Sequence, residues 1–89
     1  MIVTEQEIRK VVERLIKGEI SREDADRWAF SCIEAFDVGG LEFLPKSKEE
    51  KIWSSIRYLH GVDTQISQGV YMHSIEDIKL EMDSLWGMV

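Results

Sequence analysis

Apolar residues recur at intervals of three and four positions along most of the chain, which is the period of helices that bury one face. This pattern predicts four amphipathic helices, at about residues 5–17, 22–37, 48–60 and 75–86. The chain of 89 residues is long enough for one hydrophobic core, and its sequence shows no repeat, low-complexity run or linker. We therefore expect an all-α fold in which residues 1–89 form a single domain, a compact bundle of four short helices.

Polar residues mark the expected starts of these helices. Thr4, Ser47 and Ser74 each precede a carboxylate by three positions, which is the spacing of a capping box. Ser21 precedes two carboxylates in the first turn of the second helix, where the helix dipole favours negative charge. The buried stripe expected on that helix consists of Ala25, Trp28, Ala29, Cys32, Ile33 and Phe36. The tryptophans that fall on expected stripes, and are therefore expected in the core, are Trp28, Trp53 and Trp86.

Residues 62–73, VDTQISQGVYMH, interrupt the helical period. Valine, threonine, isoleucine and tyrosine, which favour extended backbone, flank a turn-forming Ser-Gln-Gly. This composition is typical of a small β-hairpin. A structured loop is the alternative, and the sequence leaves both open.

Few residues carry the chemistry of catalysis or metal binding. The single cysteine, Cys32, lies on the expected buried stripe without a neighbouring base, so we interpret it as a core residue and not as a nucleophile. His60 and His73 lack the paired spacing of a zinc site. A metal- or histidine-dependent enzyme would require both to meet Asp63. We therefore expect no enzymatic activity, no metal and no cofactor.

The charge of the chain is negative and unevenly distributed. The net charge is −6 at pH 7; residues 1–17 and 46–61 carry +1 and +2, whereas residues 18–45 and 62–89 carry −5 and −4. Nucleic acids and anionic membranes attract proteins through lysine and arginine, so this balance predicts no nucleic-acid or membrane partner and favours a basic protein. The N-terminus lacks the basic region and apolar run of a signal peptide, so the expected location is the cytoplasm.

One aromatic residue lies outside the expected buried face of the second helix. Phe30 projects roughly 130° from the centre of the buried stripe, among acidic residues at helical spacing. Leu80 has a similar position on the fourth helix, and an apolar residue within a charged rim is typical of protein–protein interfaces. The residues predicted to bind a partner are Glu23, Asp26, Phe30, Glu34, Asp37 and Leu80. The alternative is that residues 38–44 cover Phe30 in the monomer.

Three stretches resemble, in this order, a pattern in small uncharacterised bacterial proteins: GEISREDADRWA at residues 18–29, IWSSIRYLHGVD at 52–63 and YMHSIEDI at 71–78. The resemblance covers about residues 18–80. Some of these proteins look like immunity proteins of contact-dependent or polymorphic toxin systems. Such a protein binds its cognate toxin tightly and blocks its active site, so the resemblance implies no catalytic residues.

The sequence and this resemblance together predict an immunity or antitoxin-like protein that neutralises a cognate, basic toxin through its acidic surface. In this interpretation, charge speeds the encounter with the toxin and the ring of Phe30 slows dissociation. The alternative is a structural or regulatory adaptor without catalytic activity that forms a homodimer through Phe30 or Leu80.

Overall fold

The helices lie where the hydrophobic period predicts them. The computed structural model describes residues 1–87. Its helices are α1 (Glu5–Ile16), α2 (Arg22–Asp37), α3 (Glu49–Leu59) and α4 (Ile75–Trp86). Their bounds differ from the predicted ones by at most one residue. Within the described part of the chain, none of these helices combines the length and the apolar character that crossing a membrane requires.

Two short sheets accompany the helices, so the prediction of an all-α bundle is wrong and the fold is mixed α and β. Strand β1 (Ile2–Thr4) pairs in parallel with β2 (Glu42–Leu44), and β3 (Gln65–Ser67) pairs antiparallel with β4 (Val70–Tyr71). The second pair is a hairpin, one of the two structures that the sequence left open. The first pair was missed because strands of three residues are too short to show an alternating pattern.

The parallel pair packs one face against the core. Val3 is fully buried beside its partner Phe43, whereas the flanking residues Ile2 and Leu44 are exposed. This alternation is expected because successive side chains of a strand point to opposite faces. The N-terminal ammonium also donates a hydrogen bond to the carbonyl of Gly40 at 2.7 Å, which fixes the outer end of β1.

Side chains cap three of the helices. Thr4 caps α1, Ser21 caps α2 and Ser74 caps α4. At the last two, a carboxylate three residues on accepts a hydrogen bond from the N–H of the cap residue, which completes a capping box. The predicted cap Ser47 lies instead within a 3₁₀ turn (Lys46–Lys48), and α3 begins directly after this turn without a side-chain cap.

Small side chains let α2 pack closely on the rest of the core. Ala25, Ala29 and Cys32 are fully buried, as the stripe predicts. Phe36, which the same stripe places in the core, is 47% exposed, and its ring lies on Trp53 with the ring centroids 4.4 Å apart. Much of the remaining core consists of Ile8, Val12 and Leu15 of α1, Ile52, Ile56 and Leu59 of α3, and Ile78 and Met82 of α4.

Candidate functional site

The predicted acidic face of α2 is partly covered by α3. The ring of Phe30 stacks on His60, which follows the last residue of α3, with the ring centroids 5.8 Å apart. About half of the Phe30 side chain, 47%, stays exposed. The aromatic ring that lies against Phe30 therefore belongs to His60 and not to residues 38–44, which the sequence suggested as its cover.

Two of the predicted partner-binding carboxylates hold the fold together. Asp26 accepts a hydrogen bond from the backbone N–H of Gly61 at 2.7 Å, and the same oxygen lies 3.1 Å from Nδ1 of His60. Glu23 accepts a hydrogen bond from the hydroxyl of Tyr71 at 3.3 Å. Both carboxylates thus join α2 to distant segments of the same chain. These contacts account for an acidic residue at each position without a partner protein.

The other predicted partner-binding residues are exposed. Glu34 and Asp37 lie on the surface of α2 and form no ion pair within the described chain. Leu80 is 68% exposed and lines a groove between α1 and α4, so the structure does not place it beside Phe30. Their role in binding a partner stays a prediction.

The two histidines lie in separate environments. His60 contacts Asp26, whereas the ring of His73 lies against Tyr58 with centroids 5.1 Å apart. In the part of the chain that the structure describes, no group of three or more His, Cys, Asp and Glu side chains is arranged to hold a metal ion. The sequence-based expectation that the protein is not an enzyme stays a prediction.

Cys32 is a free cysteine buried in the core. Its side chain is fully buried, and this burial, with a smaller effect from the carboxylate of Glu7, raises the pKa of the thiol from 9.0 to about 11. Such a shift lowers the thiolate fraction near neutral pH about a hundredfold. We expect Cys32 to react with a disulfide reagent at about pH 8 at least about a hundredfold more slowly in the folded protein than in urea. Equal rates, followed by absorbance, would show that the thiol is accessible.

The two basic segments of the sequence begin side by side in the fold. Strand β1 leads into α1, β2 leads into the 3₁₀ turn and α3, and the parallel register places Thr4 beside Leu44. Paired strands lie about 4.8 Å apart, so α1 and the turn begin side by side. The sheet therefore joins residues 1–17 and 46–61, which together carry +3, whereas the rest of the chain carries −9.

Most cations of these two segments have no acidic partner. Six of their eight basic side chains lie more than 4.0 Å from every carboxylate oxygen of the described chain: Lys10, Arg14, Lys46, Lys48, Lys51 and Arg57. The other two, Arg9 and Lys17, pair with glutamates of α1. Elsewhere, Arg27 and Lys79 are ion-paired, and Arg22 donates to a backbone carbonyl. Within the described chain, the lysine and arginine side chains that have neither an ion pair nor a hydrogen bond thus lie in α1, the 3₁₀ turn and α3.

Two cations from different helices lie over one buried tryptophan. Cζ of Arg9 is 5.8 Å and Nζ of Lys51 is 5.9 Å from the centroid of the Trp86 ring, a distance at which the ring face attracts a cation. The indole N–H donates to the hydroxyl of Ser55 at 2.7 Å, and this hydroxyl donates to the carbonyl of Lys51 at 2.8 Å. We name Arg9, Lys51 and Trp86 the tryptophan–cation cluster. The cluster thus places one cation from α1 and one from α3 within 6 Å of the same ring.

Sequence reasoning missed this site because net charge is a sum over the whole surface. The relevant signal was present in the segment charges of +1 and +2. Connecting the two segments required the pairing of β1 with β2, which the sequence pattern did not predict. Trp86 was correctly placed in the core, but nothing in the sequence indicated which cations lie over it.

The chain is similar to a curated bacterial protein. Over 67 residues it is 25% identical to the uncharacterized protein YxzC of Bacillus subtilis (strain 168). The match covers 75% of this chain and 49% of that protein, so the chain spans about half the length of the curated relative that it matches. No solved structure matches the chain significantly.

The model of a family described as YxzC DNA-binding protein matches residues 2–84. This match overturns the resemblance to toxin immunity proteins. The predicted neutralisation of a basic toxin is wrong, and so is the exclusion of nucleic acid as a partner. The alternative of a homodimeric adaptor does not agree with the family's description either. The physical reason is that the net charge of −6 sums two positive segments, residues 1–17 and 46–61, with a larger negative remainder. Because the match extends over nearly the whole chain, this protein belongs to the YxzC DNA-binding protein family.

Proposed function

We propose that this protein binds DNA through phosphate contacts made by α1, the 3₁₀ turn and α3. One observation carries the proposal: every lysine or arginine side chain of the described chain without an acidic or hydrogen-bonded partner lies in these three elements. The description of the family supports it. We also propose that the protein acts in the cytoplasm, as a binding protein without catalytic activity.

The distribution of charge explains how an acidic protein binds a polyanion. Lysine and arginine contacts to phosphates supply most of the sequence-independent affinity for DNA. Helix α3, with 11 residues, is about 16 Å long and can follow several phosphates of one strand. The acidic residues of segments 18–45 and 62–89, which together carry −9, repel the duplex, so binding is favoured where the unpaired cations of α1, the 3₁₀ turn and α3 lie.

The tryptophan–cation cluster is the best-defined phosphate contact on this surface. Lys51 has a free ammonium group. Nε of Arg9 lies 3.1 Å from Oε2 of Glu5, and this ion pair leaves the other guanidinium donors of Arg9 available. The ring of Trp86 holds both cations near the surface without neutralising them. Each cation would donate charge-assisted hydrogen bonds to a phosphate, and phosphate contacts from two helices would fix the orientation of the protein on the duplex.

The effect of salt on duplex affinity tests the proposal. For the native protein and a labelled duplex of random sequence, we expect log K to fall against log salt concentration with a slope of about −3 to −5, since each phosphate contact contributes about −0.9. Lys51→Gln is expected to weaken binding about three- to tenfold in about 0.1 M salt and to make the slope shallower by about one. Fluorescence anisotropy measures both quantities.

Arg27→Gln provides the matched control. Arg27 is exposed, but it lies on the acidic helix α2 and pairs with Asp24 at 3.4 Å. Its removal changes the net charge by the same amount as Lys51→Gln, and we expect a change in affinity of less than about twofold. Equal losses in the two variants, or no duplex binding at low salt by a folded native protein, would contradict the proposed function.

A further inference from the structure

The hairpin β3–β4 is the one long uncharged stretch of this highly charged chain. Residues 64–75 contain no Asp, Glu, Lys or Arg, the longest such run in a sequence of which 31% is charged. Ile66 is 66%, Val70 is 49% and Met72 is 51% exposed. Exposed strands usually carry charges that prevent pairing with other chains, so an apolar hairpin without charges indicates a binding function.

The base of the hairpin is held firmly against α2. The guanidinium of Arg22 lies 4.2 Å from the centroid of the Tyr71 ring and donates to the carbonyl of His73 at 2.8 Å. The N–H of Met72 donates to the carbonyl of Thr64 at 2.8 Å, which extends the pairing beyond the strands. The hairpin is therefore presented in a fixed orientation, as an element that binds without refolding must be.

The turn of the hairpin is also internally bonded. Oε1 of Gln65 accepts a hydrogen bond from the N–H of Gly69 at 3.0 Å, and Gly69 adopts the left-handed conformation that the turn requires, with φ of 78°. The amide of Gln68, at the tip, makes no hydrogen bond within the described chain. The exposed tip thus carries the apolar side chain of Ile66 and, two residues later, the side-chain amide of Gln68.

We propose that this hairpin enters the major groove of the duplex and contacts the edges of A·T base pairs. The inference rests on the proposed DNA-binding function and adds a second contact to it. A two-stranded ribbon fits the width of the major groove, where glutamine pairs with adenine and apolar side chains contact the methyl group of thymine. Carboxylates on this hairpin would be repelled by the phosphates that line the groove. The chain carries 17 acidic residues, but none of them lies on the hairpin.

The family's description supports DNA as the occupant of the hairpin, which follows the cationic elements in the chain. Helix α3 begins beside the cationic 3₁₀ turn and ends at Leu59, six residues before the hairpin starts at Gln65. Arg57, in the last turn of α3, has no acidic partner in the described chain. In the sequence it lies between the 3₁₀ turn and the hairpin. The inference therefore requires a duplex bound along α3 to extend past Arg57 to the hairpin.

Removal of the thymine methyl groups tests this contact. The duplex affinity of the native protein is measured with an A·T-rich probe and with the same probe in which deoxyuridine replaces thymidine. We expect a loss of about fourfold for each methyl group contacted. Ile66→Ala is expected to weaken binding to the thymidine probe about tenfold, to abolish the difference between the probes and to leave the salt slope unchanged. Val38→Ala, at a residue 84% exposed beside α2, is the control, with no effect expected on either probe.

The outcomes separate this inference from the proposed function. If the native protein binds both probes equally, the hairpin does not contact the thymine methyl groups, but the proposed function stands. The same conclusion holds if Ile66→Ala binds like the native protein while Lys51→Gln changes the salt slope. If neither probe is bound, both fail. If Ile66→Ala instead abolishes self-association in sedimentation experiments with unchanged duplex affinity, the hairpin binds a second copy and the inference is overturned. Circular dichroism verifies that each variant is folded.

Discussion

Replacing Trp86 with alanine is expected to destabilise the protein by about 3–5 kcal/mol, as the truncation of a buried aromatic side chain does. The ring is only 9% exposed at the junction of α1, α3 and α4, and its N–H is bonded to the fully buried hydroxyl of Ser55. A domain of this size has about 5–13 kcal/mol of stability, so the loss removes a large part of it. Urea unfolding followed by circular dichroism measures the change.

Trp86→Phe separates the packing of the ring from its hydrogen bond. Phenylalanine retains most of the apolar volume and a face for the cations but lacks the N–H, so the hydroxyl of Ser55 loses its donor. We expect the free energy of unfolding of this variant to fall by about 1–2 kcal/mol, because a buried hydrogen bond is lost and the ring is smaller. A loss below about 1 kcal/mol for Trp86→Ala would show that the ring does not hold this junction together.

The helices were predictable because their signals are local. A helix is recognised from apolar residues that recur every three to four positions and from a capping residue at its start. Both signals lie within one stretch of sequence. Ser21 and Ser74 therefore located α2 and α4 to the residue. Ser47 failed as a cap because the chain forms a 3₁₀ turn at that point, and the pattern does not distinguish such a turn from the first turn of a helix.

The parallel strands were not predictable because their signal is not local. Ile2 and Glu42 are register partners that lie 40 positions apart, and each strand has only three residues. A strand so short contributes one buried side chain, Val3 or Phe43, which the sequence does not distinguish from a loop residue that folds back. This pairing nevertheless places the starts of the two positive segments side by side. DNA was rejected because of the net charge of −6, and without the pairing nothing connected these segments.

The resemblance misled because the residues that carry it maintain the fold. Arg22, in the first stretch, contacts Tyr71 and His73, in the third. Asp26, also in the first stretch, accepts a hydrogen bond from Gly61, in the second. These residues bind one another, so proteins that share them share a structure, and no inference about a partner follows. The half-exposed ring of Phe30 remains the feature of α2 that these contacts do not explain.

Replacing Phe43 with alanine is expected to cost about 3–5 kcal/mol. Its side chain is 6% exposed and meets Trp53 edge to face, with the ring centroids 6.1 Å apart, while its backbone pairs with Val3. The substitution leaves a cavity where the parallel sheet joins the core, and the melting temperature should fall by at least about 12 °C. Differential scanning calorimetry measures this shift.

Leu44→Ala is the matched control for Phe43→Ala, because Leu44 is the next residue of the same strand but points outward and is 42% exposed. We expect it to change stability by less than about 0.5 kcal/mol, as for most surface substitutions. The reverse order, with Leu44→Ala the more damaging, would mean that the strand has shifted by one residue, because a shift of one exchanges the buried and exposed faces. Such a shift would also move Thr4 from Leu44 and thereby separate the starts of α1 and the 3₁₀ turn, so this pair of variants tests the geometry on which the DNA-binding surface depends.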